Sequence, residues 1–148
     1  MRRRQTKPDQ WLIIATPDEL ELARRLPPGG GVLVLGQLPP KALRSLRKVA
    51  RERGLVLVIE GRGSAARVHG LRELRVAMLR RTPLILLSPL FPTRSHPDWH
   101  PLTRMRAAAL ARLGQRRLVA LGGMNARRFA RIRDLGFQGW AGISAFRT

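Results

Sequence analysis

Leu118-Val119-Ala120-Leu121-Gly122-Gly123-Met124-Asn125 decides how this chain of 148 residues folds. Four apolar residues in a row read as a buried strand, two glycines break it, and Asn125 is a natural helix cap. Phe129, Ile132 and Leu135 then recur at helical spacing. A buried strand that runs through a glycine turn into a helix is half of a parallel strand–helix unit.

The same alternation extends in both directions. Trp11-Leu12-Ile13-Ile14-Ala15 reads as a strand. Thr16-Pro17-Asp18-Glu19 reads as a helix start, with Thr16 as cap, Pro17 at the first position and Glu19 three residues on. That helix turns Leu20, Ala23 and Leu26 inward and stops at the prolines and glycines of 27–31. Val32-Leu33-Val34-Leu35 is a second strand, followed from near Pro40 by a helix with the stripe Leu43, Leu46, Val49 and Ala50, ended by Gly54. Leu55-Val56-Leu57-Val58-Ile59 is a third strand. Arg67-Val68-His69 is a poor strand after an irregular stretch, and a helix over 71–81 precedes the strand Leu84-Ile85-Leu86-Leu87. The proline-rich stretch 88–97 is a loop. A helix over 101–113 presents Leu102, Met105, Ala109 and Leu113, and the last strand is in Gly139-Trp140-Ala141-Gly142-Ile143-Ser144. Seven strand candidates in one domain, 1–148, predict α/β strand–helix units on a parallel sheet. The chain is short for a full eight-stranded barrel, which typically takes about 250 residues.

Composition excludes several classes. With no cysteine there is no disulfide and no thiolate metal site. No apolar run approaches the roughly 20 residues that span a bilayer. Met1-Arg2-Arg3-Arg4 is basic but leads into a polar stretch instead of an apolar signal core, so no membrane association and a cytoplasmic location are expected. The net charge of +20 points to polyanions. Against a dedicated nucleic-acid surface, 26 arginines face only three lysines, they are scattered over every helix, and aromatics make up 5% with no tyrosine. Adventitious nucleic-acid binding is expected either way.

Parallel α/β domains bind ligands at the carboxyl ends of their strands. Three such ends carry the right composition: the Ser/Pro/Thr loop from Ser88, the Gly122-Gly123 turn, and Gly142-Ile143-Ser144. Glycines let backbone approach an anion, and unpaired turn amides point at it. Gly61-Arg62-Gly63-Ser64-Ala65-Ala66 has the spacing of a dinucleotide turn, but Gly70 interrupts the helix such a turn requires. His69, His96 and His100 lack metal-ligand spacing. His96, beside Arg94 and Ser95, is the strongest functional candidate among them. Trp11 and Trp140 read as core, and Trp99 as a cap over the site or an anchor for its loop.

Ser88-Pro-Leu-Phe-Pro-Thr93, Ala120-Leu-Gly-Gly-Met-Asn125 and Gly139-Trp-Ala-Gly-Ile-Ser-Ala145, in that order, resemble three signatures of the thiamine phosphate synthase/TenI family over residues 84–146. The resemblance implies an α/β TIM-barrel-like fold, shortened relative to a full eight-stranded barrel, that binds a small phosphorylated substrate, a thiazole phosphate. It implies a transferase of thiamine biosynthesis, coupling that phosphate to hydroxymethylpyrimidine diphosphate with Mg2+. The phosphate would lie on Ser88, Thr93, Gly122, Gly123, Gly142, Ile143 and Ser144, with Ser95 and His96 as catalytic candidates. His96 stands where the family often has lysine. The departures are also clear: Gln37-Leu38-Pro39 replaces the diphosphate-gripping run, while Gly61 and Leu74 stand at the two acidic magnesium positions. No metal ligand is therefore assigned, and Mg2+ is expected only where synthase activity is retained. A strand–helix segment is missing between 70 and 84, and no helix follows Ser144. The chain reads as a shortened relative whose open sheet favours a homo-oligomer. The alternative is a non-enzymatic basic protein that binds RNA or another polyanion.

Overall fold

The computed structural model describes residues 7–60, 63–94 and 96–147. Seven strands form one parallel sheet: β1 (Gln10–Ile14), β2 (Gly31–Val34), β3 (Val56–Ile59), β4 (Ala65–Val68), β5 (Leu84–Leu87), β6 (Leu118–Ala120) and β7 (Gly139–Gly142). Their order is β3-β2-β1-β7-β6-β5-β4, with β1 pairing β2 on one side and β7 on the other. The sheet rolls into a nearly closed barrel, and the seam lies between β3 and β4. Five helices cover the outside: α1 (Leu20–Ala23), α2 (Pro40–Arg53), α3 (Leu71–Leu79), α4 (Arg104–Leu113) and α5 (Ala126–Ile132).

Strand alternation divides the core. Trp11, Ile13, Leu33, Leu84, Leu86, Val119 and Ala141 fill the barrel interior. Their sequence neighbours Leu12, Ile14, Val32 and Val34 face α1 and α2, while Ile85, Leu87, Leu118 and Ala120 face α3, α4 and α5. Val56 and Val58 of β3 face inward and Leu55, Leu57 and Ile59 outward, yet every residue from Leu55 to Glu60 is only half-buried. The cause is the connection: five residues separate β3 from β4, too few to lay a helix over β3. The seam is spanned instead by an ion pair, Arg67 Nη2 to Glu60 Oε1 at 3.0 Å.

Local chemistry explains most boundaries. Glu19 is buried, and its carboxylate accepts from the amides of Ala15 (2.7 Å) and Thr16 (3.4 Å), closing the start of a 3-10 turn, Pro17–Glu19, that runs into α1. Gly54 ends α2 at φ 66°, and Arg53 donates to the Leu26 carbonyl at 2.7 Å, tying α2 to the end of α1. Asn125 caps α5, its Oδ1 accepting from the Arg128 amide at 2.8 Å.

Two expectations are corrected. The helix expected over 101–113 starts only at Arg104, because Thr103 is its cap and accepts from the Arg106 amide. Its inward face is Ala107, Leu110 and Ala111, while Met105 is 85% and Leu113 53% exposed. Small alanines let α4 lie close to the sheet, which a stripe sought among large apolar residues does not reveal. The irregular stretch after β3 also yields a real strand, β4, whose Ala65 and Ala66 occupy the place where a dinucleotide turn would begin its helix. Gly61 and Arg62 lie outside the described residues.

Leu33 has no exposed surface inside the barrel. Leu33→Ala is expected to lower unfolding free energy by about 2–5 kcal/mol through lost transfer energy and a cavity. Leu79→Ala, on the exposed face of α3, should stay within about 0.5 kcal/mol. Urea titrations followed by circular dichroism read both.

Candidate functional site

The carboxyl ends of the strands open into a pocket of about 330 Å³, a size suited to a small ligand. Its wall draws on Ile13 near the end of β1, Leu35 after β2, Arg67 and His69 at β4, and the loop from Ser88 after β5. The segments 121–124 and 141–144 and Arg147 complete it.

Of the residues singled out in the sequence, Ser88, Thr93, His96, Gly122, Gly123, Gly142, Ile143 and Ser144 all line this pocket. Ser95 lies outside the described residues. Among the described residues, the amides of Gly123, Ile143 and Ser144 donate to no protein acceptor. Sequence reasoning passed over Arg67, His69 and Arg147 as site residues. His69 could have been found by position, since it directly follows β4, but the strand itself was poorly marked. Arg147 carried no signal among so many arginines.

Two backbone segments interlock to shape the floor. Leu90 N donates to Leu121 O at 3.1 Å and Phe91 N to Gly122 O at 3.2 Å, so the loop after β5 is stitched to the turn after β6. Gly122 (φ 103°) and Gly123 (φ 60°) adopt conformations that suit glycine. A Cβ on Gly122 would meet Pro89 Cα at 2.9 Å, and one on Gly123 would run into the Pro92 carbonyl and the Arg128 guanidinium. Arg128 in turn donates to the Gly123 carbonyl and lies 5.2 Å from the Phe91 ring centre. The two glycines therefore serve close packing as well as any ligand.

The opposite wall is aromatic. Trp99, 45% exposed, stacks on His96 at 3.9 Å between ring centres and meets His69 edge-on at 5.6 Å. His69 Nδ1 lies 3.1 Å from the Ser88 carbonyl and 3.2 Å from its hydroxyl. The carbonyl can only accept, so the tautomer that fits is Nδ1–H donating to it, which leaves Nε2 as an acceptor. Arg147 at the rim is 3.5 Å from the buried Glu19 carboxylate, linking the end of the described chain to the loop after β1.

Magnesium is a poor fit to these residues. It needs hard oxygen ligands in near-octahedral array. Leu74 is fully buried in the outer core, the neighbouring Glu73 accepts from the His69 amide at 3.1 Å, and Glu60 is paired with Arg67. Among the described residues no three of His, Asp and Glu gather where they could hold a metal ion.

The fold and site together define a parallel α/β barrel with a glycine-rich, cation-rimmed pocket at its carboxyl end. The family model described as thiamine monophosphate synthase matches residues 65–146, from the first residue of β4 to the turn after β7. The chain belongs to this family. Among solved structures it is similar to the thiamine phosphate pyrophosphorylase from Pyrococcus furiosus, with a TM-score of 0.75 and 16% identity, covering 97% of this chain and 89% of that one. No curated protein sequence matches. Among the described residues, no helix is long and apolar enough to cross a membrane.

Gly123 and Gly36 both have positive φ, but Gly36 has open space where a Cβ would go. Gly36→Ala is expected to cost about 1 kcal/mol from backbone strain alone. Gly123→Ala should cost clearly more, because the loop after β5 must move. Paired urea titrations check the difference, and equal losses would refute the interlock.

Proposed function

We propose that this protein binds a thiazole phosphate in the pocket at the carboxyl end of the barrel, as a member of its family adapted to binding more than to synthase chemistry. The observation that carries the reading is the set of amides at Gly123, Ile143 and Ser144, which line one pocket and have no protein acceptor among the described residues. Backbone amides in glycine turns are effective phosphate ligands because they come close and carry fixed partial charge. Arg67 and Arg147 line the same pocket, each paired with a carboxylate, Glu60 and Glu19, that a bound phosphate would compete with. Thr93 and His96 stand on the loop that would face the heterocycle, and the His96–Trp99 stack offers a flat apolar wall to a ring.

Coupling to a pyrimidine diphosphate is a different demand. Expelling diphosphate builds negative charge on the leaving group, and metal ions or placed cations normally supply several kcal/mol of stabilisation there. Neither Glu60, whose Oε1 pairs with Arg67, nor Glu73, which accepts from the His69 amide, lines the pocket. Losing that stabilisation slows the reaction by thousands-fold, at about 1.4 kcal/mol per factor of ten.

Isothermal titration with thiazole phosphate should show saturable binding that persists at about 0.3 M KCl, where diffuse attraction is screened within a few ångströms. The dephosphorylated thiazole alcohol should bind much more weakly. Thiamine phosphate formation from the two substrates should be slow and insensitive to chelator. Binding that vanishes with salt would favour a general polyanion binder, and robust, chelator-sensitive turnover would show that a metal site forms.

A further inference from the structure

The short connection after β3 leaves a feature on the opposite side of the sheet from the pocket. A groove of about 610 Å³ runs between α2 and the outer face of β3, floored by Ala50, Leu55 and Leu57. Its wall is Arg44, Arg47, Lys48 and Arg51, positions i, i+3, i+4 and i+7 of one helix, which form a continuous cationic stripe. All four are exposed. One carboxylate lies close by, Glu52, 3.9 Å from Lys48 with both side chains largely exposed, and such a pair contributes little.

We infer that this groove docks an acidic amphipathic helix of a partner protein, laid beside α2 over β3. In a barrel of this class the outer face of each strand is covered by helix. Here β3 runs straight into β4, so Leu55 and Leu57 stay half-buried, and the vacant space is a helix position. Charge selects the occupant. Apolar residues at i, i+3, i+4 and i+7 of a partner helix would cover the leucine floor, while carboxylates along its flank would meet the stripe. A second copy fits poorly, because a chain with net charge +20 would bring two basic faces together. Single-stranded RNA fits poorly too, since among the described residues no aromatic side chain lines the groove to stack with bases.

The probe is a fluorescent peptide of the same length as α2, with leucine at the four inward positions and glutamate at most others. Oligoglutamate of equal charge and a single-stranded RNA of similar length serve as competitors. Anisotropy at about 0.3 M KCl should show saturable peptide binding with neither competitor displacing it at equal charge. Arg47→Glu/Arg51→Glu should weaken binding by roughly tenfold or more, since two rim attractions become repulsions. Arg72→Glu/Arg75→Glu on α3, with the same change in net charge, should alter it less than about twofold. Hydrogen exchange on the unmutated protein, which needs no folded variant, should show peptide-dependent protection confined to residues 44–59. Several outcomes would overturn the inference: no binding below about 100 μM, equal displacement by oligoglutamate or RNA, equal loss in both double variants, protection elsewhere, or a concentration-dependent dimer that buries the groove.

Discussion

A barrel of parallel strands needs a return path after every strand, and five residues are all this chain spends between β3 and β4. That constraint shapes the molecule. Among the described residues no helix covers β3, and the seven-stranded sheet keeps a seam that the Glu60–Arg67 pair spans at 3.0 Å. The two strands beside the seam are the least covered, while β2, β5 and β6 are buried along their length and β1 from Trp11 on. One consequence is the apolar floor beside a cationic helix on the outside. Another is that Glu60, beside the seam, is tied to Arg67 through Oε1, while its buried Oε2 has no partner among the described residues.

The other half of the barrel has no such gap. From β4 to the last turn every strand is followed by a covering element, and the pocket's polar wall is assembled from those connections. This is also the half that the family model matches. The loop after β5 and the turn after β6 share hydrogen bonds and leave no room for side chains at Gly122 and Gly123. Packing demand and ligand demand therefore fall on the same residues, so the glycines alone do not prove a ligand. What points to a ligand is the set of amides at Gly123, Ile143 and Ser144, which have no protein acceptor among the described residues.

The surface charge has three different meanings in different places. Arginines dispersed over α3, α4 and α5 face solvent and keep the chain strongly basic. Arg128 is a structural clamp, joining the Gly123 carbonyl to the Phe91 ring. The α2 stripe differs from both because it borders uncovered leucines.

The sequence by itself determined the elements and the side of the sheet where chemistry sits. Continuous apolar runs at residues 11–15, 32–35, 55–59 and 84–87 mark strands of a parallel sheet, and glycines after strands mark backbone that must approach closely. Local signals such as Asn125 and the Pro17–Glu19 turn need nothing beyond their neighbours to act, which is why they were legible. Tertiary structure alone decided the rest. Whether Arg67-Val68-His69 belonged to a strand depended on β5 offering it a partner, and β4 exists because that ladder satisfies its backbone. Which face of α4 turned inward depended on how closely the helix could approach, and alanines won over Met105 and Leu113. His69 became a site residue only when Ser88 and Trp99 were brought to it from 19 and 30 residues away. Such contacts are made by chain closure, and no local spacing encodes them.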